Sequence, residues 1–219
     1  MSAPRVVAID GAAGSGKSTL SRGLARALGV PYINTGLMYR ALTSAALRSS
    51  VDLEDQYALI DILGHLRFMV TGEQPPELEV EGYPAEALTT REVELTVSRV
   101  ARHPRVREHM RRQQRALGVA GAVMEGRDIA TAVFPDAPVK LFLRADEAER
   151  SARRARERAS NDPREVARAL RHRDERDART NPLEPAPGAV VVDTGALDAD
   201  AVLAQALLIV RPAWPKDAG

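Results

Sequence analysis

A glycine-rich loop near the N-terminus places the tightest constraint on how this chain folds. Residues 11–18 read G-A-A-G-S-G-K-S and satisfy the pattern G-x-x-x-x-G-K-[ST] at every fixed position. A short apolar run at residues 6–9 precedes the loop, and Lys17–Leu28, with leucines on one helical face, follows it. The pattern therefore predicts a buried strand, a phosphate-binding loop and a helix whose N-terminus faces bound phosphate.

This loop predicts that the chain binds a nucleoside triphosphate. We expect ATP as the phosphoryl donor, with Lys17 reaching its β- and γ-phosphates and the Ser18 hydroxyl ligating Mg²⁺. Backbone amides of the loop are expected to hold the phosphates. The residues predicted to bind the triphosphate are consecutive: Gly11, Ala12, Ala13, Gly14, Ser15, Gly16, Lys17, Ser18 and Thr19.

Short apolar segments alternate with helical segments along the rest of the chain. Strands are predicted over residues 6–9, 32–34, 122–124, 139–143 and 189–192, and helices between them. This alternation is typical of an α/β fold with three layers, in which a five-stranded parallel sheet is covered on both faces. The length of 219 residues fits a single domain with insertions.

Three segments stand outside that core pattern. A small antiparallel hairpin is predicted at about residues 68–88, as an insertion at the sheet edge. Residues 149–180 read as an arginine-rich pair of helices with a hinge-like break at 161–163, a pattern that suits a lid. Residues 211–219 contain two prolines and are expected to form a loosely ordered tail.

Composition narrows the classes of function. The chain has no cysteine, which excludes disulfides, thiolate metal sites and cysteine nucleophiles. Its formal net charge of +1 gives no strong field toward nucleic acid or membrane. No apolar run is long enough for a signal peptide or a spanning helix. We therefore expect a cytoplasmic protein with small-molecule substrates and neither nucleic acid nor membrane as a partner.

Three classes of phosphate-loop protein remain after composition is considered. A GTPase would carry an N-K-x-D segment, which the sequence lacks, and the E-G-R-D of residues 125–128 does not match the paired acids of remodelling ATPases. A kinase for a phosphorylated acceptor needs arginines on separate segments and a lid that excludes water. Arg40, Arg127 and the segment 149–179 meet that need, although the segment also fits a solvated charged hairpin.

Several spaced motifs, beyond the loop itself, resemble those of bacterial cytidylate kinases. The resemblance runs from Val6 to about Val210. The loop reads I-D-G-x-x-G-S-G-K-S-T, residues 35–40 are similar to [ST]-G-x-x-Y-R, and S-R-V-A at 98–101 is followed by P-R-V-R at 104–107. Residues 125–137 resemble G-R-D-x-x-x-x-V-F-P-x-A, and residues 173–177 resemble R-D-x-x-D.

The resemblance implies ATP-dependent phosphorylation of CMP or dCMP to the diphosphate, in pyrimidine metabolism, by a monomer. It implies that residues 35–118 bind the monophosphate, that Lys17, Arg40, Arg127 and Arg179 are catalytic, and that Arg40 and Arg127 hold the acceptor phosphate. Ser98, Arg107 and Asp128 would read the cytosine. The full set of implied substrate-binding residues is Thr35, Tyr39, Arg40, Ser98, Arg107, Arg127, Asp128, Arg173 and Asp177.

One departure and several alternatives stay open at this point. The family pattern R-D-x-x-D-x-x-R has Thr180 in place of its last arginine, so Arg179 is expected to substitute for it. The acceptor could instead be UMP, or the chain could be an ATPase that binds RNA through the arginine-rich segment. Tyr39 and Ser98 also fit helix packing, Asp128 fits a helix N-cap, and Arg107 fits a solvated face shared with Arg111 and Arg115.

Overall fold

The computed structural model describes residues 5–157, 163–178, 180–181, 183–195 and 197–214. Within those ranges the chain forms a central, mostly parallel β-sheet with helices on both faces. The strands are β1 (Val6–Gly11), β2 (Tyr32–Asn34), β3 (Phe68–Thr71), β4 (Glu77–Val80), β5 (Ala122–Gly126), β6 (Val139–Arg144) and β7 (Val190–Asp193).

Helices connect these strands in the order that the sequence predicts for an α/β fold. They are α1 (Lys17–Leu28), α2 (Thr35–Arg48), α3 (Gln56–His65), α4 (Ala85–Leu88), α5 (Arg91–Ala101), α6 (Pro104–Gly118), α7 (Glu147–Glu157), α8 (Pro163–Ala178) and α9 (Ala199–Ala213). A single π-helical turn, Ile129–Val133, follows β5. No helix in the described ranges combines the length and apolar character that a membrane span requires.

The predicted sheet of five strands is wrong in its count, because the inserted hairpin joins the sheet. The described residues form seven strands in the order β3-β4-β2-β5-β1-β6-β7. Strand β4 pairs in parallel with β2 at Glu77 and Tyr32, and the Tyr32 N–H donates to the Pro76 carbonyl at 2.8 Å. Strand β3 then pairs antiparallel with β4. The hairpin therefore satisfies the edge of β2, which would otherwise be unpaired.

The two faces of the sheet alternate along β1, as the twofold period of a strand requires. Val6 and Ala8 belong to a core cluster with α2, α3 and α6, whereas Val7 and Ile9 belong to a second cluster with α1 and α9. Every residue of β1 is buried. The strand is therefore the centre of the three layers and fixes where the phosphate loop begins.

The C-terminal helix α9 was not expected from the sequence. Asp198 caps it by accepting a hydrogen bond from the Ala201 N–H at 2.8 Å, and its Val210 is fully buried in the core. The helix runs to Ala213, and Trp214 is buried beneath the guanidinium of Arg5. The expected loose tail therefore does not begin at residue 211, because apolar packing extends the helix; residues 215–219 lie outside the described ranges.

Candidate active site

A cleft of about 750 Å³ opens at the carboxyl ends of β1, β2 and β5. Open α/β sheets bind ligands at this edge, since loops from several parallel strands converge there. Its walls come from the phosphate loop, the start of α2, α5, the segment after β5, and both helices of the 149–180 segment. The motifs that the sequence spreads over more than 150 residues therefore meet in one place.

The phosphate loop has a positive φ at three glycines, Gly11, Gly14 and Gly16, a backbone that other residues rarely adopt. Gly11 has φ +151°, and a Cβ there would lie 2.5 Å from the Leu143 carbonyl oxygen. Gly16, at φ +87°, is the residue before α1, and no side chain in the described part of the protein caps that helix. The first-turn amides of α1 are therefore directed to the cleft as donors for an anion.

Lys17 and Ser18 lie at the start of α1, where the loop ends. The Lys17 ammonium donates to the Ala12 carbonyl at 2.6 Å, within the loop. The Ser18 hydroxyl donates to Oε1 of Glu125 at 2.8 Å, and the Tyr32 hydroxyl donates to the same oxygen at 2.8 Å. Burial and the nearby Glu125 carboxylate raise the pKa of Tyr32. The loop hydroxyl is thus joined directly to a carboxylate at the end of β5.

Glu125 is a candidate that the sequence analysis did not assign. It is 3% exposed, and its second oxygen, Oε2, has no hydrogen-bond partner among the described residues. Buried carboxylate oxygens are normally paired, so an unpaired one beside a phosphate loop indicates a place for a cation. Its position at the carboxyl end of a strand beside β1 was the available signal, since neighbouring parallel strands end at one edge.

The helices α7 and α8 lie over the phosphate loop. Arg150 donates to the Ala13 carbonyl at 3.1 Å and pairs with Asp174 at 2.5 Å. The Ala13 N–H in turn donates to Asp174 at 3.4 Å. The arginine-rich segment is therefore not merely a solvated hairpin, because its polar side chains bond to the loop backbone.

Three guanidinium groups from separate segments surround the next part of the cleft. Arg40 on α2 is partly buried; desolvation and then the charge of Arg154 on α7 lower its pKa. Its Nε has no hydrogen-bond partner in the described part of the chain. Arg127 donates to the Gly11 carbonyl at 2.6 Å and pairs with Asp177 at 3.0 Å. Like charges disfavour one another, so a bound anion would stabilise this group.

The far end of the cleft is built around Asp128. Its Oδ2 accepts from Arg107 at 2.8 Å and from Arg111 at 3.0 Å. Arg107 is 8% exposed and therefore does not belong to a solvated face. Asp128 precedes the π-helical turn but makes no side-chain capping bond to it. The Ser98 hydroxyl is buried at this end and has no partner among the residues described.

Thr35 and Tyr39 connect α2 to this arrangement. The Thr35 hydroxyl donates to the Glu125 carbonyl at 2.8 Å, while Asn34, not Thr35, caps α2 by accepting from the Gly36 N–H at 3.0 Å. Burial raises the pKa of Tyr39 to about 12, and its hydroxyl bonds to Gln114 on α6. Both residues therefore hold α2 against the floor of the cleft.

Comparison with known proteins identifies the family. A family model described as cytidylate kinase matches residues 7–212. The chain belongs to the cytidylate kinase family. The resemblance noted in the sequence is thereby confirmed over almost the whole chain.

Curated cytidylate kinases are similar along their full length. That of Geobacillus thermodenitrificans is 42% identical, with 94% of this chain and 96% of the relative covered. That of Chloroflexus aggregans is 43% identical, with 88% and 87% covered. A solved structure of an uncharacterized protein from Eubacterium ventriosum aligns with a TM-score of 0.50 at 11% identity, covering 94% of this chain and 98% of that one. This last likeness shows the α/β fold alone.

Most of the residues that family motifs single out lie on the one cleft. They are Lys17, Ser18, Thr19, Thr35, Tyr39, Arg40, Ser98, Arg107, Arg127, Asp128 and Asp177. Arg179 lies outside the described residues, as does the side chain of Arg173 on α8. Four further residues of this arrangement were not assigned from the sequence, and the last three belong to no recognisable motif: Glu125, Arg154, Arg111 and Asn181.

Proposed function

We propose that this protein transfers the γ-phosphoryl group of ATP to CMP or dCMP, giving ADP and the nucleoside diphosphate. Family membership gives the activity, and one observation of the structure carries the assignment of its site. A phosphate loop, an arginine cluster and the Arg107–Asp128 pair follow one another along a single cleft. That order matches a donor phosphate, an acceptor phosphate and a base.

Lys17, Arg40 and Arg127 are proposed to supply charge around the moving phosphoryl group. The transition state of phosphoryl transfer is loose, so the protein contributes position and electrostatic stabilisation rather than a covalent step. Arg154, paired with Glu94 at 2.7 Å, adds a further cation from the lid. A phosphate monoester is already an anionic nucleophile, so we assign no general base.

Ser18 and Glu125 are proposed to hold Mg²⁺. The buried Glu125 oxygen without a partner and the adjacent Ser18 hydroxyl form the oxygen donor set that this cation prefers. When bound, Mg²⁺ neutralises charge on the β- and γ-phosphate oxygens. Tyr32 keeps the carboxylate in place by donating to its other oxygen.

Arg107, Asp128 and Ser98 are proposed to read the base. Cytosine presents an amino donor at its 4-position and an acceptor at N3, whereas uracil reverses both. Arg107 as a donor, with Asp128 and Ser98 as acceptors, therefore suits cytosine. Each buried group left unpaired by uracil costs about 1–3 kcal/mol, so two mismatches give discrimination of roughly 10²–10⁴.

The same proposal assigns the larger segments. Residues 35–118 form the monophosphate-binding region, and residues 149–180 form a lid that excludes water. The hairpin predicted at about 68–88 lies in the first of these; its strands are β3 and β4, and its last residues form the helix α4 instead. Action as a monomer stays a prediction. The substitution of Arg179 for the family's last lid arginine and a cytoplasmic location stay predictions.

An acceptor panel tests the proposal. ADP release is measured with ATP, Mg²⁺ and each of CMP, dCMP, UMP, AMP and GMP, and in a separate arm with RNA and no monophosphate. We expect CMP and dCMP to exceed UMP clearly in kcat/KM, and AMP and GMP to be poor acceptors. Equal use of CMP and UMP would favour a broader pyrimidine kinase, and turnover with RNA alone would favour an ATPase.

A further inference from the structure

Asn181 reaches the base end of the cleft from the C-terminal end of the lid. It follows α8, and its backbone N–H donates to the Asp177 carbonyl at 2.7 Å, so the turn continues from the helix. Its side-chain oxygen accepts a hydrogen bond from Nη2 of Arg107. A third segment, after α6 and the turn beyond β5, therefore contacts the proposed base-reading arginine.

The contact with Asn181 uses one of the two hydrogens on Nη2 of Arg107. That nitrogen carries two hydrogens. It donates to Asp128 Oδ2 at 2.8 Å and to the Asn181 side chain, so both hydrogens have acceptors from the protein. Nη1, whose contact with the Ala101 carbonyl is long at 3.5 Å, and Nε are left to meet a ligand. Two acceptors on one nitrogen also fix the plane of the guanidinium.

Because Arg107 is buried, the loss of its hydrogen bond to Asn181 would be costly. Arg107 is 8% exposed, so water cannot easily replace a lost acceptor. Asn181 itself lines the cleft, beside Asp128 and Asp177. Shortening its side chain would therefore leave the guanidinium with one acceptor on Nη2 and a wider range of orientations.

The same turn of chain also reaches the phosphate end. Asp177 pairs with Arg127 at 3.0 Å, and Asn181, four residues later, bonds to Arg107. Two polar side chains at the lid's end thus touch one arginine assigned to the acceptor phosphate and one assigned to the base. A displacement of this turn would therefore change the contacts of both Arg127 and Arg107.

We propose that Asn181 is a positioning residue for base choice: it orients Arg107 so that the remaining N–H groups of the guanidinium meet the pyrimidine. The inference rests on the proposed function. The Asn181 carboxamide could alternatively lie where the base binds and be displaced by CMP. The shared Nη2 argues against displacement, because that nitrogen can satisfy Asn181 and Asp128 together while other N–H groups bind the base.

The test compares Asn181→Ala with Asn181→Asp, which keeps an oxygen acceptor in the same place. Glu175→Ala is the matched control, since Glu175 is an exposed residue of the lid helix α8 and does not line the cleft. For each protein, kcat and KM are measured for CMP and for UMP at saturating ATP, together with KM for ATP and the melting temperature. If the alanine variant does not fold, Asn181→Ser, which shortens the acceptor, takes its place.

We expect the alanine variant to raise KM for CMP about tenfold and to lower the CMP-to-UMP ratio of kcat/KM by a similar factor, as for a lost hydrogen bond to a charged group. KM for ATP should change less than about twofold, and the aspartate variant should recover most of the loss. The Glu175→Ala control should behave like the wild type.

Three outcomes would overturn the inference. A lower KM for CMP in the alanine variant would mean that Asn181 occupies the base position and is displaced. Equal changes for CMP, UMP and ATP would mean a general structural role. Loss in the aspartate variant as large as in the alanine variant would mean that the acceptor is irrelevant. Wild-type protein that does not prefer CMP would instead refute the proposed function, so the two failures are distinguishable.

Discussion

The phosphate end and the base end of the cleft use the same residue types in different ways. At the base end, Asp128 is shared between Arg107 and Arg111, and each ion has a partner within 3.0 Å. At the phosphate end, the partly buried Arg40 has an Nε that lacks a partner among the described residues, and desolvation followed by the charge of Arg154 lowers its pKa. Both ends hold ion pairs, but Arg40 at the phosphate end makes no ion pair among the described residues, whereas both arginines of the base end share Asp128.

The phosphate end is therefore expected to set the affinity for phosphate groups, and the base end the selectivity among acceptors. A cluster of desolvated cations gains most when an anion enters, so the phosphate end should supply charge stabilisation to any phosphate that fits. A network that is already paired resists rearrangement and rejects a ligand with the wrong pattern of donors and acceptors. Substitutions at the two ends should therefore have opposite effects on stability and different effects on the choice of acceptor.

The largest effect is expected from Lys17→Met. Removing the cation that faces the transferring group should lower kcat by about 10²–10³, because the interaction is realised in the transition state. KM for CMP should stay within about threefold, since the base end is untouched. Steady-state kinetics on this variant and on Lys140→Met, a lysine remote from the cleft, check the prediction. Wild-type turnover at saturating ATP would mean that the loop is not the catalytic site.

The next largest effect is expected on stability and concerns Asp10, the buried aspartate near the end of β1. Its carboxylate accepts the N–H groups of Ile129 at 2.9 Å and Ala130 at 2.8 Å, directly after Asp128. Burial is the main cause that raises its pKa from 3.8 to about 6. Between those values the native state binds more protons than the unfolded state, so its contribution to the free energy of unfolding falls as pH rises.

That contribution should fall by at most about 3 kcal/mol between pH 4 and pH 7, at 1.36 kcal/mol per unit of pKa. Urea unfolding of the wild type and of Asp10→Asn over this range isolates it as the difference between the two proteins. Asp61→Asn, an exposed position on α3, is the control. A difference that is constant or rises with pH would contradict the buried acid assigned to Asp10.

A smaller effect on catalysis, with an unusual sign for stability, is expected from Arg40→Met. The methionine keeps the apolar stem of the side chain and removes a desolvated charge near two other cations, so the free energy of unfolding should stay the same or rise by about 1 kcal/mol. KM for CMP should rise about 10–100-fold. Arg48→Met, on the exposed end of the same helix, is the control. Marked destabilisation would show that Arg40 is a structural ion.

The phosphate end was the easier one to predict from sequence. Its motif has fixed spacing within one loop, and the strand before it and the helix after it follow from simple periodicity. Lys17 and Ser18 needed no knowledge of tertiary structure. Glu125 was missed because its proposed role depends on β5 lying beside β1. That neighbourhood follows from the order of the strands in the sheet, which the local sequence does not give.

The base end could be predicted only through family motifs. Ser98, Arg107 and Asp128 lie on different elements, and no local pattern distinguishes Arg107 from Arg111 or Arg115. Asn181 became visible only when the end of the lid was placed against α6. The seven-stranded sheet was missed for the same reason, since the pairing of β4 with β2 joins segments more than forty residues apart. Long-range pairings of this kind leave little local signal.

The base end is tested most sharply by Asp128→Asn. The substitution replaces one carboxylate oxygen by an amide nitrogen, so two ion pairs with Arg107 and Arg111 are lost, and the free energy of unfolding should fall by about 1–2 kcal/mol. The amide can also donate a hydrogen bond to a carbonyl, so it can pair with the 4-carbonyl of uracil. The ratio of kcat/KM for CMP to that for UMP should therefore fall about tenfold, while KM for ATP changes little.

This prediction is checked by measuring kinetics with CMP and UMP on the wild type, on Asp128→Asn and on a control, Asp136→Asn. Asp136 is an exposed aspartate outside the cleft. An unchanged ratio would remove Asp128 from base reading, and stability equal to that of the wild type would show that the network is not complete without ligand.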